Sequence, residues 1–286
     1  MKKGLVLEGG AMRGLFSAGI IDVMMEENID VDGLIGVSAG AVFGCNFISN
    51  QPGRAIRYNK KYCNDPRYCS IRSLVKTGNM FGVDFCYHEI PEKLDVFDNA
   101  AYKASKTPFY VVCTDVETGK AVYHLCENNV EKDLLWMQAS ASMPLASRIV
   151  EIDGGKYLDG GVADSIPLEY FESIGYEKNI VVLTQPKGYV KKKNKALPLM
   201  RRALKSYPDF LETAAHRHEV YNDSTAYVER REKEGAVLVL RPEESLPIGR
   251  VEHDPEKLQT VYDLGRKLAG ERLDEIKAFL RASQND

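Results

Sequence analysis

A chain of 286 residues, 44% apolar and 28% charged, has the balance of a globular protein able to bury a sizeable core, as one large α/β unit or two small ones. Its formal net charge of -3 lacks the strong basic excess of a nucleic-acid binder. No apolar run approaches the ~18 residues that span a bilayer.

The chain opens with a short apolar run, Leu5-Val6-Leu7, which reads as a parallel strand over Lys3 to Glu8 buried on both faces. That run is too short for the apolar core of a signal peptide, so a cytoplasmic location is expected. A glycine loop follows, Gly9-Gly10-Ala11-Met12-Arg13-Gly14, and then a helical pattern over Leu15 to Glu27. The loop fits neither G-x-G-x-x-G nor G-x-x-x-x-G-K-[ST], which argues against a phosphate loop. A second strand, Leu34 to Val37, delivers Gly36-Val37-Ser38-Ala39-Gly40, after which Ala41 to Gly44 suits a packed helix. G-x-S-x-G at a strand-to-helix turn is a nucleophile elbow, in which the bend lifts the serine hydroxyl clear of the sheet. By chance alone the motif turns up in a chain of this length about 0.1 of the time, so the strand before and the helix after are what give it weight. In a right-handed βαβ unit both loops leave the carboxyl ends of parallel strands, so the glycine loop and Ser38 share one sheet edge.

Residues 52–105 read as short helical or irregular pieces. Their aromatics and methionine, Tyr62, Tyr68, Met80, Phe81 and Phe85, suit a peripheral helical layer, with a substrate-facing cover as the alternative. Phe109 to Thr114 and Ala121 to Leu125 pair as a hairpin, and a helix runs from about Glu131 to Ser140. Two Asp-Gly-Gly triplets come next. Asp153-Gly154-Gly155 sits between short apolar runs and is absorbed by a hairpin turn. Asp159-Gly160-Gly161 ends a strand and sets a carboxylate before a loop, with Ser165 expected to cap the next helix. Ile180 to Thr184 is a further buried strand. The span Lys187 to Lys205, with Lys191, Lys192, Lys193 and Lys195 and no acidic residue, reads as a solvated face; a patch for anionic lipid head groups is the sharper alternative. A charged helix over Pro208 to Lys233, a strand over Ala236 to Leu240 and a final helix from about Asp254 to Arg281 complete the pattern. With no repeat and no linker, residues 1–286 read as one domain. Cys45, Cys63, Cys69, Cys86, Cys113 and Cys126 form no C-x-x-C pair and no zinc spacing with histidine, so buried thiols are expected and no metal.

Acyl transfer by a serine needs a base, donors for the oxyanion and an apolar slot. The glycine loop ending Arg13-Gly14, the Gly36–Gly40 elbow, the run Ala139-Ser140-Ala141-Ser142-Met143-Pro144 and Asp159-Gly160-Gly161, in that order, resemble the patatin-like phospholipase family over roughly residues 4–185. The resemblance implies a three-layer α/β fold with a mainly parallel central sheet and helices on both faces. It implies that Ser38 is the nucleophile and Asp159 its base, and that amides around Gly10, Ala11 and Met12, within the loop Gly9 to Gly14, hold the oxyanion. It further implies hydrolysis of lipid acyl esters without a cofactor. Where the family's loop usually has a third glycine this chain has Ala11, for which a negative φ is expected. Residues 190–286 stand outside the resemblance, as a helical part with one returning strand. Two other readings stay open: an α/β-hydrolase triad recruiting His216, His218 or His253, and a catalytically idle lipid-binding protein.

Overall fold

The computed structural model describes residues 1–281. Strand β1 (Lys2–Leu7) and helix α1 (Gly14–Glu26) are followed by β2 (Gly33–Val37), α2 (Ala39–Ile48) and α3 (Arg54–Tyr62). Next come α4 (Ile71–Thr77), a π-helical stretch Phe85–Leu94, α5 (Asn99–Ala104), β3 (Phe109–Asp115) and β4 (Ala121–Leu125). Helix α6 (Val130–Ser140) leads to the hairpin β5 (Val150–Ile152) and β6 (Gly155–Asp159), then α7 (Leu168–Ser173) and β7 (Tyr176–Val182). The C-terminal part is α8 (Leu197–Ala203), α9 (Pro208–Lys233), β8 (Val237–Leu240), α10 (Pro255–Glu271) and α11 (Leu273–Arg281).

Among the described residues eight strands join one sheet in the order β5-β6-β3-β2-β1-β7-β8, with β4 paired to β3 off that path. The pairs β1–β2, β1–β7, β2–β3 and β7–β8 are parallel; those involving β4, β5 and β6 are antiparallel. The strands at the centre are apolar on both faces because helices cover both. Leu5, Leu7, Leu34, Ile180, Val182 and Leu240 share a buried cluster with α1, α2 and α10. Their alternates Val6, Ile35, Val37, Val181 and Val239 turn to the opposite face, against α7 and α9. Each such side chain, removed from water, contributes about 1.5–3 kcal/mol. The fold is therefore α/β with a mixed, mostly parallel central sheet between two helical layers.

Helix α10 lies backbone to backbone on α1. A Cβ on Gly19 would collide with the Tyr262 carbonyl, and one on Gly265 with that of Phe16, so small residues on both helices set the close crossing.

Two sequence expectations are corrected here. Ser165 does not cap a helix: its hydroxyl donates to the Gly161 carbonyl (2.8 Å), and α7 begins after Pro167 as N-cap. The single final helix is two, because Arg272 leaves helical geometry (φ -106°, ψ 15°) while its guanidinium reaches back to the Val239 carbonyl and across to Glu275. By contrast Asp153 (φ 50°) and Gly154 (φ 85°) form the expected tight turn, both in the left-handed region that such hairpins demand.

Candidate active site

Sheet register brings the serine and the aspartate together. Along one edge, β3 pairs with β4 from Tyr110 to Thr114. Its other edge is shared: β2 pairs from Phe109 to Val112 and stops at Val37, and β6 takes over from Cys113 to Asp115. Strands β2 and β6 run in opposite directions and so end head to head, Val37 opposite Val112 and Asp159 opposite Cys113. Ser38, the next residue after β2, donates from Oγ to Asp159 Oδ2 at 2.8 Å.

Ser38 sits at φ 55°, ψ -119°, a strained conformation for a residue with a Cβ, immediately before α2. The strain is held by packing and by a relay. The Ser38 amide donates to Ser140 Oγ (2.8 Å), whose own hydroxyl donates to the Val112 carbonyl (2.6 Å). Gly36 and Gly40 lie on either side of the elbow, where strand and helix nearly touch; a Cβ on Gly40 would strike the Leu7 carbonyl. Asp159 is oriented by its second oxygen, Oδ1, which accepts the Gly161 amide at 2.8 Å, while Thr114 Oγ1 donates to the Asp159 carbonyl at 2.8 Å. Gly160 and Gly161 form the short turn that carries this amide. Ser38 and Asp159 are both buried. Burial raises the Asp159 pKa above the ordinary aspartate value, opposed by the charge of Arg217, the Ser38 hydroxyl, the Gly161 amide and the charge of Arg250.

The glycine loop lies against the elbow, close enough that a Cβ on Gly9 would sit 3.0 Å from that of Ser38. Residues Ala11–Arg13 make one 3-10 turn that feeds α1 at Gly14. Among the described residues the Gly10 and Ala11 amides donate to nothing, whereas Met12 donates to the Arg250 carbonyl (3.4 Å) and Arg13 to the Gly10 carbonyl (3.2 Å). Of the three expected donors, two point free and one is engaged. Ala11 also departs from expectation: its φ is 50°, so alanine occupies a left-handed position that glycine takes without strain.

Two cavities meet at Ala11, Ser38 and Met143. One, about 120 Å³, is mainly apolar, with Val42, Phe43, Tyr58, Ile90, Phe97 and Met137 in its wall. Tyr68, Phe81 and Tyr87 line it too, so the 52–105 region supplies a wall of the serine's cavity rather than only a peripheral layer. Tyr62 and Phe85 from the same region are core, edge to face at 5.3 Å. The second cavity, about 310 Å³, holds Asp159, Glu8 and the cations Arg13, Lys191, Arg217 and Arg250. Lys191 is thus not part of a solvated lysine run: its ammonium lies 3.8 Å from the centre of the Tyr221 ring, and burial, with Arg217 as the next cause, pulls its pKa down to about 7. Lys192, Lys193 and Lys195 are exposed.

His124 stacks on Trp136 (4.1 Å), exposed His216 bonds Glu212 and Glu219, and His253 Nδ1 lies 2.5 Å from the Cys63 carbonyl. Among the described residues no histidine hydrogen-bonds to Ser38 or Asp159. All six cysteines are free thiols, five of them buried. Potential metal-binding atoms of His124, Cys126 and Asp133 lie within 4.8 Å of one another. There the Asp133 carboxylate already accepts from the Tyr102 hydroxyl (3.1 Å) and the Glu127 amide (3.2 Å), and burial raises the Cys126 thiol pKa well above its ordinary value. Asp133 is thus a hydrogen-bonded core carboxylate, while His124 Nε2 is buried without a partner among the described residues.

Comparison with known proteins matches residues 5–172 to the sequence family described as patatin-like phospholipase, and residues 207–281 to a domain of unknown function (DUF6363). The chain is 30% identical over 187 residues to the uncharacterized protein YjjU of Escherichia coli (strain K12), covering 64% of this chain and 52% of that protein. It is 25% identical over 294 residues to lysophospholipase NTE1 of Coccidioides immitis (strain RS), covering 96% of this chain but 18% of that protein. The chain therefore spans about half the length of the first of these relatives and a small part of the second. The crystal structure of VipD from Legionella pneumophila aligns with a TM-score of 0.49 at 13% identity, over 96% of this chain and 67% of that one. The family match takes in more than half of the chain, with the glycine loop, the elbow and Asp159 inside it: this protein belongs to the patatin-like phospholipase family.

Proposed function

We propose that this chain is a serine hydrolase of lipid acyl esters, of phospholipase A or lysophospholipase type, working through a Ser38–Asp159 dyad. The observation that carries the reading is the 2.8 Å hydrogen bond from Ser38 Oγ to the buried Asp159 carboxylate at a strained elbow. Similarity to lysophospholipase NTE1 supports a lipid ester as substrate class.

In this reading Asp159 takes the Ser38 proton as Oγ attacks the ester carbonyl. Negative charge forms on the carbonyl oxygen, where the free amides of Gly10 and Ala11, at the start of α1, are available to it. Asp159 then returns the proton to the departing alcohol, leaving an acyl group on Ser38. In the second half Asp159 accepts a proton from water, the hydroxide attacks the acyl carbonyl, and the fatty acid leaves as Ser38 Oγ is reprotonated. The apolar cavity takes the acyl chain. A carboxylate with a raised pKa suits a base that must both accept and release a proton.

The whole chain is read as one working unit, since α9 contributes Arg217 and the loop after β8 contributes Arg250 to the serine's cavity. Six free thiols fit a reducing, cytoplasmic setting. No helix among the described residues is long and apolar enough to cross a membrane; the exposed Lys192, Lys193 and Lys195 offer peripheral contact with an anionic surface. The test is covalent labelling by a fluorophosphonate together with hydrolysis of a panel of acyl esters. Wild type labels and turns over, and Ser38→Ala does neither; turnover that persists in purified Ser38→Ala defeats the proposal.

A further inference from the structure

We infer that the second cavity is a phosphate site, which makes the preferred leaving group of the hydrolase an anionic glycerophosphate. This rests on the ester-hydrolase reading above and extends it to the alcohol side of the substrate. An ester carbonyl held at Ser38 has its acyl chain on one side and its alcohol on the other. With the apolar cavity taking the chain, the alcohol enters the cavity that contains Asp159 and four cations.

Those cations are brought from four separate places: Arg13 from the glycine loop, Lys191 from the segment after β7, Arg217 from α9 and Arg250 from the loop after β8. Three of the four stand outside the segment matched to the patatin-like family. Their charges are felt by the carboxylates of the cavity but close no ion pair with them. Among the described residues none of them is ion-paired, and Arg13 Nε is buried with no hydrogen-bond partner. Arg217 donates from Nε to the Gly161 carbonyl and keeps the rest of its fork. The two carboxylates of the cavity are committed elsewhere, Glu8 to Thr184 and the Tyr221 hydroxyl, Asp159 to Ser38 and the Gly161 amide.

The cluster is also held in place. The Lys191 backbone is clamped to α9 by Asn222, whose Oδ1 accepts the Lys191 amide (2.8 Å) and whose Nδ2 donates to its carbonyl (3.2 Å). Burial is the main reason the Lys191 ammonium gives up its proton so readily, and the like charge of Arg217 in the same space adds to it. A phosphate has the charge and the several acceptor oxygens to satisfy three guanidinium forks and an ammonium at once. A neutral glycerol leaves them as they are.

Two esters that differ only in the phosphate test this: 1-oleoyl lysophosphatidate and 1-oleoylglycerol, each in the same neutral detergent micelles. The quantity read is the ratio of their kcat/KM values. In wild type it favours the phosphate ester by about tenfold or more, as expected for charge-assisted bonds, and in Lys191→Gln/Arg250→Gln it falls toward one. A wild-type ratio near one, or a ratio unchanged in the double variant, overturns the phosphate site while leaving ester hydrolysis standing. A second arm needs no turnover: sodium phosphate, against sodium chloride at equal ionic strength, raises the unfolding temperature of wild type more than that of the double variant. Protection together with the ratio means that free phosphate and the head group use one site; the ratio without protection means that only the tethered head group is held, and supports the proposal equally. Should wild type hydrolyse no ester, the enzymatic reading falls, and phosphate protection alone decides: its presence keeps the anion site and its absence removes it.

Discussion

Replacing Asp159 by asparagine exchanges one oxygen for an amide nitrogen and leaves the surrounding packing unchanged. The Gly161 amide, 2.8 Å from Oδ1, keeps its acceptor, because asparagine retains a carbonyl oxygen. What is lost sits at Oδ2, where a group able to take the Ser38 proton across 2.8 Å becomes an NH2 that donates instead. A positioned general base is worth about 10²–10⁴ in rate, so kcat/KM is expected to fall about a thousandfold, or ~4 kcal/mol of transition-state stabilisation. Stability should barely move. The substitution relieves a buried carboxylate whose burial already raises its pKa, and it withdraws a counter-charge from Arg217, two effects of opposite sign. A net of about 1 kcal/mol corresponds to a shift of about 2–4 °C in melting temperature for a chain of this order of size. The assay is initial-rate hydrolysis of a nitrophenyl ester and a lysophospholipid from pH 5 to 9, with thermal unfolding in parallel. In wild type only the carboxylate form can accept the proton, so kcat/KM climbs with pH through a value above the ordinary aspartate pKa; the variant loses that limb. Histidine-to-glutamine variants at 124, 216, 218 and 253, none of which bonds to the dyad, should stay within about threefold of wild type. A folded Asp159→Asn enzyme within tenfold of wild type, or a collapse in any one folded histidine variant, refutes the dyad and restores a triad.

Three further outcomes follow from the packing. Ser140→Ala removes the hydroxyl that links the Ser38 amide to the Val112 carbonyl, so unfolding free energy should drop by about 1–3 kcal/mol and kcat should fall more than KM changes; an unaltered denaturation midpoint would show that the relay is dispensable. Asp22 is buried, and desolvation raises its pKa to about 6 against hydrogen bonds from the Tyr262 hydroxyl and the Gly53 amide. Because the folded value exceeds the unfolded one, the native state holds the extra proton, and stability declines by about 3 kcal/mol as pH rises from about 4 to about 6; Asp22→Asn should flatten that decline in pH-dependent chemical denaturation. Vesicles rich in anionic lipid should bind the protein weakly and salt-sensitively through Lys192, Lys193 and Lys195, each worth about 1 kcal/mol, and equal co-sedimentation of the triple Lys→Gln variant would remove that surface.

The sheet was legible wherever burial on both faces writes a continuous apolar run, as in Leu5-Val6-Leu7 or Ile180 to Val182. Ser38 and Asp159 were legible because glycines mark the turns that carry them. What the sequence concealed was orientation around helices. Arg217 lies between His216 and His218 in a highly charged segment that reads as solvent-facing, and only the docking of α9 shows that its turn meets the Gly161 carbonyl. Lys191 was hidden in the same way among Lys192 and Lys193, since Asn222, thirty-one residues on, decides where its backbone is tied. Ser165 carried a capping signal, but the nearer carbonyl of Gly161 competed for its hydroxyl. The break at Arg272 comes two residues after Gly270, a weak signal by itself, and the Arg272 guanidinium holds the end of α10 by a long-range bond to β8.

The place of β1 in the sheet has a consequence for how the chain folds. β1 is made first, yet its two neighbours are β2 and β7, and β7 begins only at Tyr176. On a ribosome adding about 5–20 residues per second, β1 waits on the order of ten seconds or more with one ladder edge open. During that interval the βαβ unit that contains Ser38 presents an unpaired apolar strand, the kind of edge that templates aggregation. Its relief comes from the segment lying beyond the matched family region, through β7 on the open edge and α10 on the exposed face of α1. Long-range pairing of this sort makes folding slow, and it makes the elbow's rigidity a property acquired late, when the last third of the chain closes over the first.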